Sequence, residues 1–208
     1  MSTIPTLEEQ IAMTGLSYGR RQDISYRTGL VIQVLGAALL AVLYPLANPF
    51  YTVGIMLFDA GVLLSAVYLL VWMRSFKIFI IGSAFIGLSL QVAGSLDFIP
   101  EQHAGALMII GVGFVCVAAG GIVGKEAYCF GYREGWLLMM LGFPLMVLTN
   151  LLGKEHRIFN SLGFSVLFLL LLSLVGKKLK QPLLSSCKTN VCGQPPAKKT
   201  GRSNQSVF

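Results

Sequence analysis

Charged residues are scarce in this chain. Asp, Glu, Lys and Arg make up 12% of 208 residues, about half the roughly 25% usual in soluble domains. A water-soluble globule is therefore excluded. Histidine and tryptophan occur only twice each, and no aspartate-, histidine- or glycine-rich loop cluster is available to build a catalytic centre. The phosphate-cradling glycine loop, the nucleophile elbow and the zinc-protease pattern are all missing. So is the apolar core of a secretory signal, because Met1–Asp23 carries Glu8, Glu9, Arg20 and Arg21.

What is present is grease. Apolar residues reach 55% and the mean hydropathy is +0.73. Six apolar runs lie near Gly29–Ala47, Tyr51–Met73, Ile78–Leu96, Ala104–Val123, Trp136–Leu152 and Phe159–Val175. Each is close to the ~20 residues that cross a hydrocarbon layer as a helix. The expected fold is all-α and polytopic, with six transmembrane helices. Residues 1–27 form an N-terminal segment, 28–176 the membrane domain and 177–208 a basic tail, whose Gln194-Pro195-Pro196 and lack of bulky apolar residues predict disorder.

Six crossings put both tails on one side, together with the second-to-third and fourth-to-fifth connections. That side collects fourteen of the sixteen Lys and Arg residues, leaving only Lys154 and Arg157 opposite. The positive-inside bias makes both termini cytoplasmic. The formal net charge of +7 is then explained by lysines beside anionic headgroups, and no nucleic-acid partner is implied.

Two segments echo each other. Tyr26 to Gly36 (YRTGLVIQVLG) and Tyr132 to Gly142 (YREGWLLMMLG) agree at five of eleven positions. Tyr26, Arg27, Tyr132 and Arg133 read as interfacial anchors, tyrosine at headgroup level and arginine snorkelling to phosphate. The echo marks either two similarly built hairpins or a chance match within an apolar alphabet.

Asp59 is the one acid well inside an apolar run. An ionisable group there costs roughly 2.5–3.5 kcal/mol on insertion scales and is by default a functional candidate. Gln33, Gln91, Ser89 and Asn150 are its polar candidates for partnership. Two readings stay open: a proton or cation site formed with Gln33 and Gln91, or a simple interhelical hydrogen bond.

The stretch Gly124 to Gly135 is the most distinctive connection. Read as helix, Lys125, Cys129 and Arg133 fall at i, i+4 and i+8, and flanking cations lower a thiol pKa. Glu126 and Glu134 oppose that field. The alternative is an interfacial linker with Tyr128, Phe130 and Tyr132 in the headgroup layer and its charges paired locally. Cys116 lies mid-membrane among glycines as a small packing group. Cys187 and Cys192 in the tail are weak metal candidates, because structural zinc needs four ligands and His103 and His156 fall on the opposite side. Asp97, Glu101, His103, Glu155 and His156 read as a solvated rim. Met139, Met140 and Met146 read as packing. No cofactor is indicated by any of these groups.

With Tyr26-Arg27-Thr28-Gly29, Lys125-Glu126-Ala127-Tyr128-Cys129-Phe130 and the terminal Ser206-Val207-Phe208, the chain resembles a family of uncharacterised bacterial integral membrane proteins, found in proteobacteria and cyanobacteria and known only as a domain of unknown function. The resemblance implies a bacterial inner membrane and carries over no catalytic or binding residue. The functional expectation is a non-enzymatic accessory or assembly subunit packed against other membrane-protein subunits in the bilayer. A small permease or proton-coupled carrier using Asp59 is the alternative, and an enzyme using Cys129 the third reading.

Overall fold

The computed structural model describes residues 20–46, 50–71, 73–96, 100–152 and 157–181. Asn48-Pro49, Asp97, Glu155, His156, the N-terminal residues 1–19 and the tail with Cys187 and Cys192 lie outside them. Among the described residues every regular element is helical. The elements are α1 (Arg20–Leu43), α2 (Tyr51–Val67), α3 (Arg74–Gly94), α4 (Glu101–Phe130), α5 (Arg133–Leu137), a π-helical turn (Leu138–Gly142), α6 (Phe143–Leu152) and α7 (Arg157–Leu179). Because α5, the π turn and α6 run on without a break, the described residues form six helical rods. The ends that carry Arg20, Arg74, Lys125, Arg133 and Lys177 are called the basic end below.

The rods differ from the apolar runs in ways with physical causes. α1, α3, α4 and α7 are long and apolar enough to cross a membrane. α2 stops at Val67, short of the expected Met73, and at 17 residues spans only about 25 Å. Tyr68 to Val71 are not helical, and Leu69 and Val71 are buried, as non-helical chain at membrane depth must be inside protein. α4 instead overshoots. Its 30 residues extend about 45 Å, so Lys125 to Phe130 end a helix and do not form the expected linker. Gly131 stops it with φ at 67°, a left-handed conformation that glycine adopts without a Cβ penalty.

The π turn sits immediately before Phe143-Pro144. Proline lacks the N–H for an i→i−4 bond and its ring crowds the preceding turn. A local π bulge relieves both problems and keeps the rod continuous. α7 runs one turn beyond the expected Val175, placing Lys177 and Lys178 in its last turn, where cations complement the helix dipole.

Two hairpins are packed backbone to backbone. In the first, α1 lies on α2: a Cβ added to Gly61 would stand 2.6 Å from Gln33 N and 2.7 Å from Gly29 O, and one on Gly36 would stand 2.5 Å from Phe58 N. In the second, α3 lies on α4: a Cβ on Gly87 would stand 2.7 Å from Gly111 O, and one on Gly94 2.9 Å from Ala104 O. Small residues permit this approach, which drives helix association where lipid offers no hydrophobic preference. A repeat in the sequence underlies it. Gly29-Leu30-Val31-Ile32-Gln33-Val34-Leu35-Gly36 and Gly87-Leu88-Ser89-Leu90-Gln91-Val92-Ala93-Gly94 share Gly, Leu, Gln, Val and Gly in register. The echo between residues 26–36 and 132–142 has no equivalent pairing: Gly135 packs on Ala127 and Val123 of α4, away from any glycine.

Gly61→Ala forces two backbones apart and is expected to destabilise the protein by about 1–3 kcal/mol, the cost of overpacking. Gly105→Ala, at a position with no neighbour within 4 Å, is expected to be neutral or slightly stabilising. Thermal midpoints of the two variants in one detergent check the contrast.

Candidate functional site

The largest concentration of buried charge lies at the basic end, where α1, α4 and α7 meet around Glu126. Its side chain is fully enclosed. Oε1 accepts hydrogen bonds from Tyr26 Oη at 2.8 Å and from Lys125 Nζ at 3.0 Å. Oε2 forms an ion pair with Lys178 Nζ at 2.8 Å. The two ammonium groups also lie over aromatic faces, Lys178 at 4.2 Å from the Phe130 ring and Lys125 at 5.5 Å, a cation–π arrangement that replaces lost hydration. Phe130 stacks on Tyr132 with centroids 5.7 Å apart.

Helix geometry explains the assembly. The overhang of α4 carries Glu126 to the level where α7 delivers Lys178 and where Tyr26 stands on α1, one turn before the Gly29 contact. Arg27, on the next position, pairs with Asp23 one turn earlier at 3.1 Å. Its Nη1 donates to the carbonyls of Lys178 at 3.1 Å and Gln181 at 2.7 Å, satisfying acceptors that the end of α7 leaves open. Gln181 Nε2 donates to Tyr132 Oη at 2.6 Å, so α7 is tied to α1 and to the start of α5. On the same side Lys177 pairs with Glu134, and that hydrogen bond holds the Glu134 carboxyl below the usual carboxylate range. Burial pushes the Tyr132 phenol up.

This geometry corrects two expectations. Tyr26 and Arg27 are not lipid-facing anchors; only 2% and 7% of their surfaces are exposed, because a buried carboxylate and an open helix end need their donors. The i, i+4, i+8 row of Lys125, Cys129 and Arg133 does not exist either. Gly131 breaks the helix before exposed Arg133, and Lys125 is ion-paired with Glu126, whose charge opposes the lysine's field at the half-buried Cys129 thiol. The role of Lys178 escaped sequence reading altogether: 52 positions separate it from Glu126, and only the length of α4 and the extra turn of α7 could have signalled the meeting.

A second polar locus runs through the middle of the rods. Gln33 Nε2 donates to Gly61 O at 3.2 Å and Ser65 Oγ at 3.1 Å, and Ser65 Oγ donates to Tyr26 O at 3.3 Å. Gln33 Oε1 is buried without a hydrogen bond. Asp59, also buried, faces Gln91 of α3 and Cys116 of α4. The Gln91 amide nitrogen lies near that carboxyl but outside hydrogen-bonding geometry. Asp59 and Gln91 are thus brought together, whereas Gln33 is not part of their site: it contacts the Gly61 side of α2, about 200° around the helix from Asp59. Among the described residues no group of three His, Cys, Asp or Glu is placed to hold a metal ion.

An all-helical bundle with long apolar rods, lipid-facing aliphatic surfaces and charge gathered at its ends defines an integral membrane protein. The chain belongs to the family described as "Uncharacterized integral membrane protein (DUF2301)", whose model matches residues 62–187, more than half of its length. The match begins within α2 and takes in Asp59's neighbours Gln91 and Cys116, the Lys125–Phe130 stretch and Lys178. No curated protein and no solved structure matches the chain.

If Glu126 is the hub of the basic end, Glu126→Gln leaves two buried ammonium groups without their anion. The expected loss is about 3–5 kcal/mol, the cost of breaking a buried ion pair, read as a lowered thermal midpoint in detergent. Lys177→Gln, at a half-exposed pair, is expected to change it by less than about 1 kcal/mol.

Proposed function

We propose that the chain is a non-enzymatic accessory or assembly subunit that spans the bacterial inner membrane six times, both termini cytoplasmic, and packs against another membrane protein. The carrying observation is the contrast between two kinds of glycine. Gly29, Gly36, Gly61, Gly87 and Gly111 are closed by a neighbouring backbone, whereas Gly82, Gly105 and Gly113 have nothing within 4 Å. Gly82 lies in a row with Ile78, Phe79, Phe85 and Ile86, all exposed, on α3, the least enclosed of the four long helices. A flat apolar face of this kind accepts a further helix as readily as it accepts lipid, and the glycine contributes only if a helix comes close.

Migration of gently solubilised protein on native gels tests this reading. The expected result is a complex larger than the monomer that is lost in Gly82→Leu; a monomer in several mild detergents counts against it. For sidedness, a reporter fused after Phe208 is expected to remain inside the cell.

A second reading is favoured by one observation, the buried Asp59 carboxyl facing a Gln91 amide whose nitrogen is unsatisfied. That pair suits a protonatable site in a small carrier. Asp59→Asn is then expected to abolish uptake or proton coupling while leaving the native-gel complex intact. An unchanged transport phenotype removes this reading.

A further inference from the structure

We infer that Asp59 and Gln91 form a proton site at the junction of the two hairpins, in which Gln91 positions the carboxyl in both of its protonation states. It rests on the Asp59 reading proposed above and makes the proton the ion that the site takes. Asp59 lies at the centre of α2, Gln91 on α3 and Cys116 on α4, each at most 5% exposed. The acid thus belongs to the first hairpin, and what it faces belongs to both helices of the second.

The glycine repeat explains why Gln91 is available. In the first hairpin Gln33 Nε2 is engaged by Gly61 O and Ser65 Oγ. In the second, Gly111 and Val115 take the places of Gly61 and Ser65. A Cβ on Gly29 would stand 2.7 Å from Ser65 N and beside Ser65 Oγ, and one on Gly87 would stand 2.8 Å from both Val115 N and Val115 Cγ2. A methyl group therefore occupies the place of a hydroxyl. Gln91 Nε2 lacks that acceptor and is buried without a hydrogen bond. An unmet buried donor is costly, and the acceptor beside it is the Asp59 carboxyl.

A carboxamide suits either state of the acid. Its N–H₂ donates to a carboxylate, and after a turn about its last bond its oxygen accepts from the O–H of a carboxylic acid. A metal ion is served less well. Hard cations take about six oxygen ligands or more, whereas the side chains meeting here supply one carboxyl and one amide. The titratable group facing Asp59 from α4 is the Cys116 thiol. On its other side α2 meets Gly29, Gln33 and Gly36 of α1, none of them ionisable. Among the described residues no Lys, Arg or His forms an ion pair with Asp59.

The test is infrared spectroscopy of the full chain in detergent at acid pH, where the carboxyl carries its proton. In each background the Asp59 carbonyl band is isolated by subtracting the spectrum of the same protein with Asp59→Asn. Gln91→Leu is expected to move the band to higher wavenumber, the sign of a lost hydrogen bond. Val115→Ser restores the hydroxyl of the first hairpin and is expected to capture the Gln91 amide, moving the band the same way. Val115→Ala, without a hydroxyl, is expected to leave it in place. Should Val115→Ser not fold, Val115→Thr carries the hydroxyl on a side chain close to valine in volume. Added sodium chloride is expected to leave the band intensity unchanged, and a loss of intensity overturns the assignment to a proton. A band unmoved by Gln91→Leu overturns the inference, and so does one that moves alike in the serine and alanine variants. Uptake is a separate readout: transport unchanged in Asp59→Asn removes the carrier, while the band alone decides the proton site.

Discussion

A single carboxylate organises the basic end of this protein. An isolated ion of that kind is prohibitively costly to bury, and Glu126 is tolerable in a fully enclosed position only because two ammonium groups and a phenol surround it. Each of those donors comes at a structural condition. Lys125 requires α4 to continue as helix past the depth at which lipid would let it end. Lys178 requires one more turn of α7. Tyr26 requires α1 to begin before the apolar run does, so that its ring turns inward. Three departures from simple hydropathy thus have one electrostatic origin.

The glycine-packed hairpins answer a different constraint. Between apolar helices in lipid there is no hydrophobic gain from association, so contact must come from close approach of backbones. α1 with α2, and α3 with α4, achieve it through the same Gly-Leu-x-x-Gln-Val-x-Gly pattern. The glutamine in that pattern is then placed against a glycine of the partner helix in each hairpin, Gln33 on Gly61 and Gln91 on Gly111. In the first hairpin its amide nitrogen is satisfied by Gly61 and Ser65; in the second it faces the acid on α2. Equivalent positions in a repeated framework therefore carry different chemistry, and the difference lies in what the neighbouring hairpin presents. Asp59 exists as a site only because the two hairpins adjoin.

Hydropathy and charge made the helical membrane architecture legible in the sequence, because apolar length and the clustering of Lys and Arg are local properties. The ends of the rods were less so. α2 is apolar through Met73, yet the chain leaves helix at Tyr68 because tertiary burial, not propensity, decides that stretch. The π turn is foreshadowed by Pro144, whose missing donor must be accommodated somewhere upstream. The site was harder still. Tyr26, Arg27, Lys125 and Glu126 stand out as types, but reading them as headgroup anchors or as a local pair overlooked their meeting with a lysine far along the chain. The Gly-Gln repeat, five identities in eight positions, has a structural counterpart in the two hairpins, whereas the Tyr-Arg segments, five in eleven, have none.

The two loci also place opposite demands on the surrounding lipid. The glycine contacts between paired helices carry no charge, so the bilayer need only exclude water from them. The Glu126 cluster instead gathers buried ions, Glu126 with Lys125 and Lys178 and Asp23 with Arg27, where the helices end. In a medium of low dielectric such charges interact far more strongly than in water, so each buried ion there stands beside a counter-ion. Burying Glu126 therefore depends on cations delivered by α4 and α7, so this end of the fold is held by charge pairing where the hairpins are held by shape.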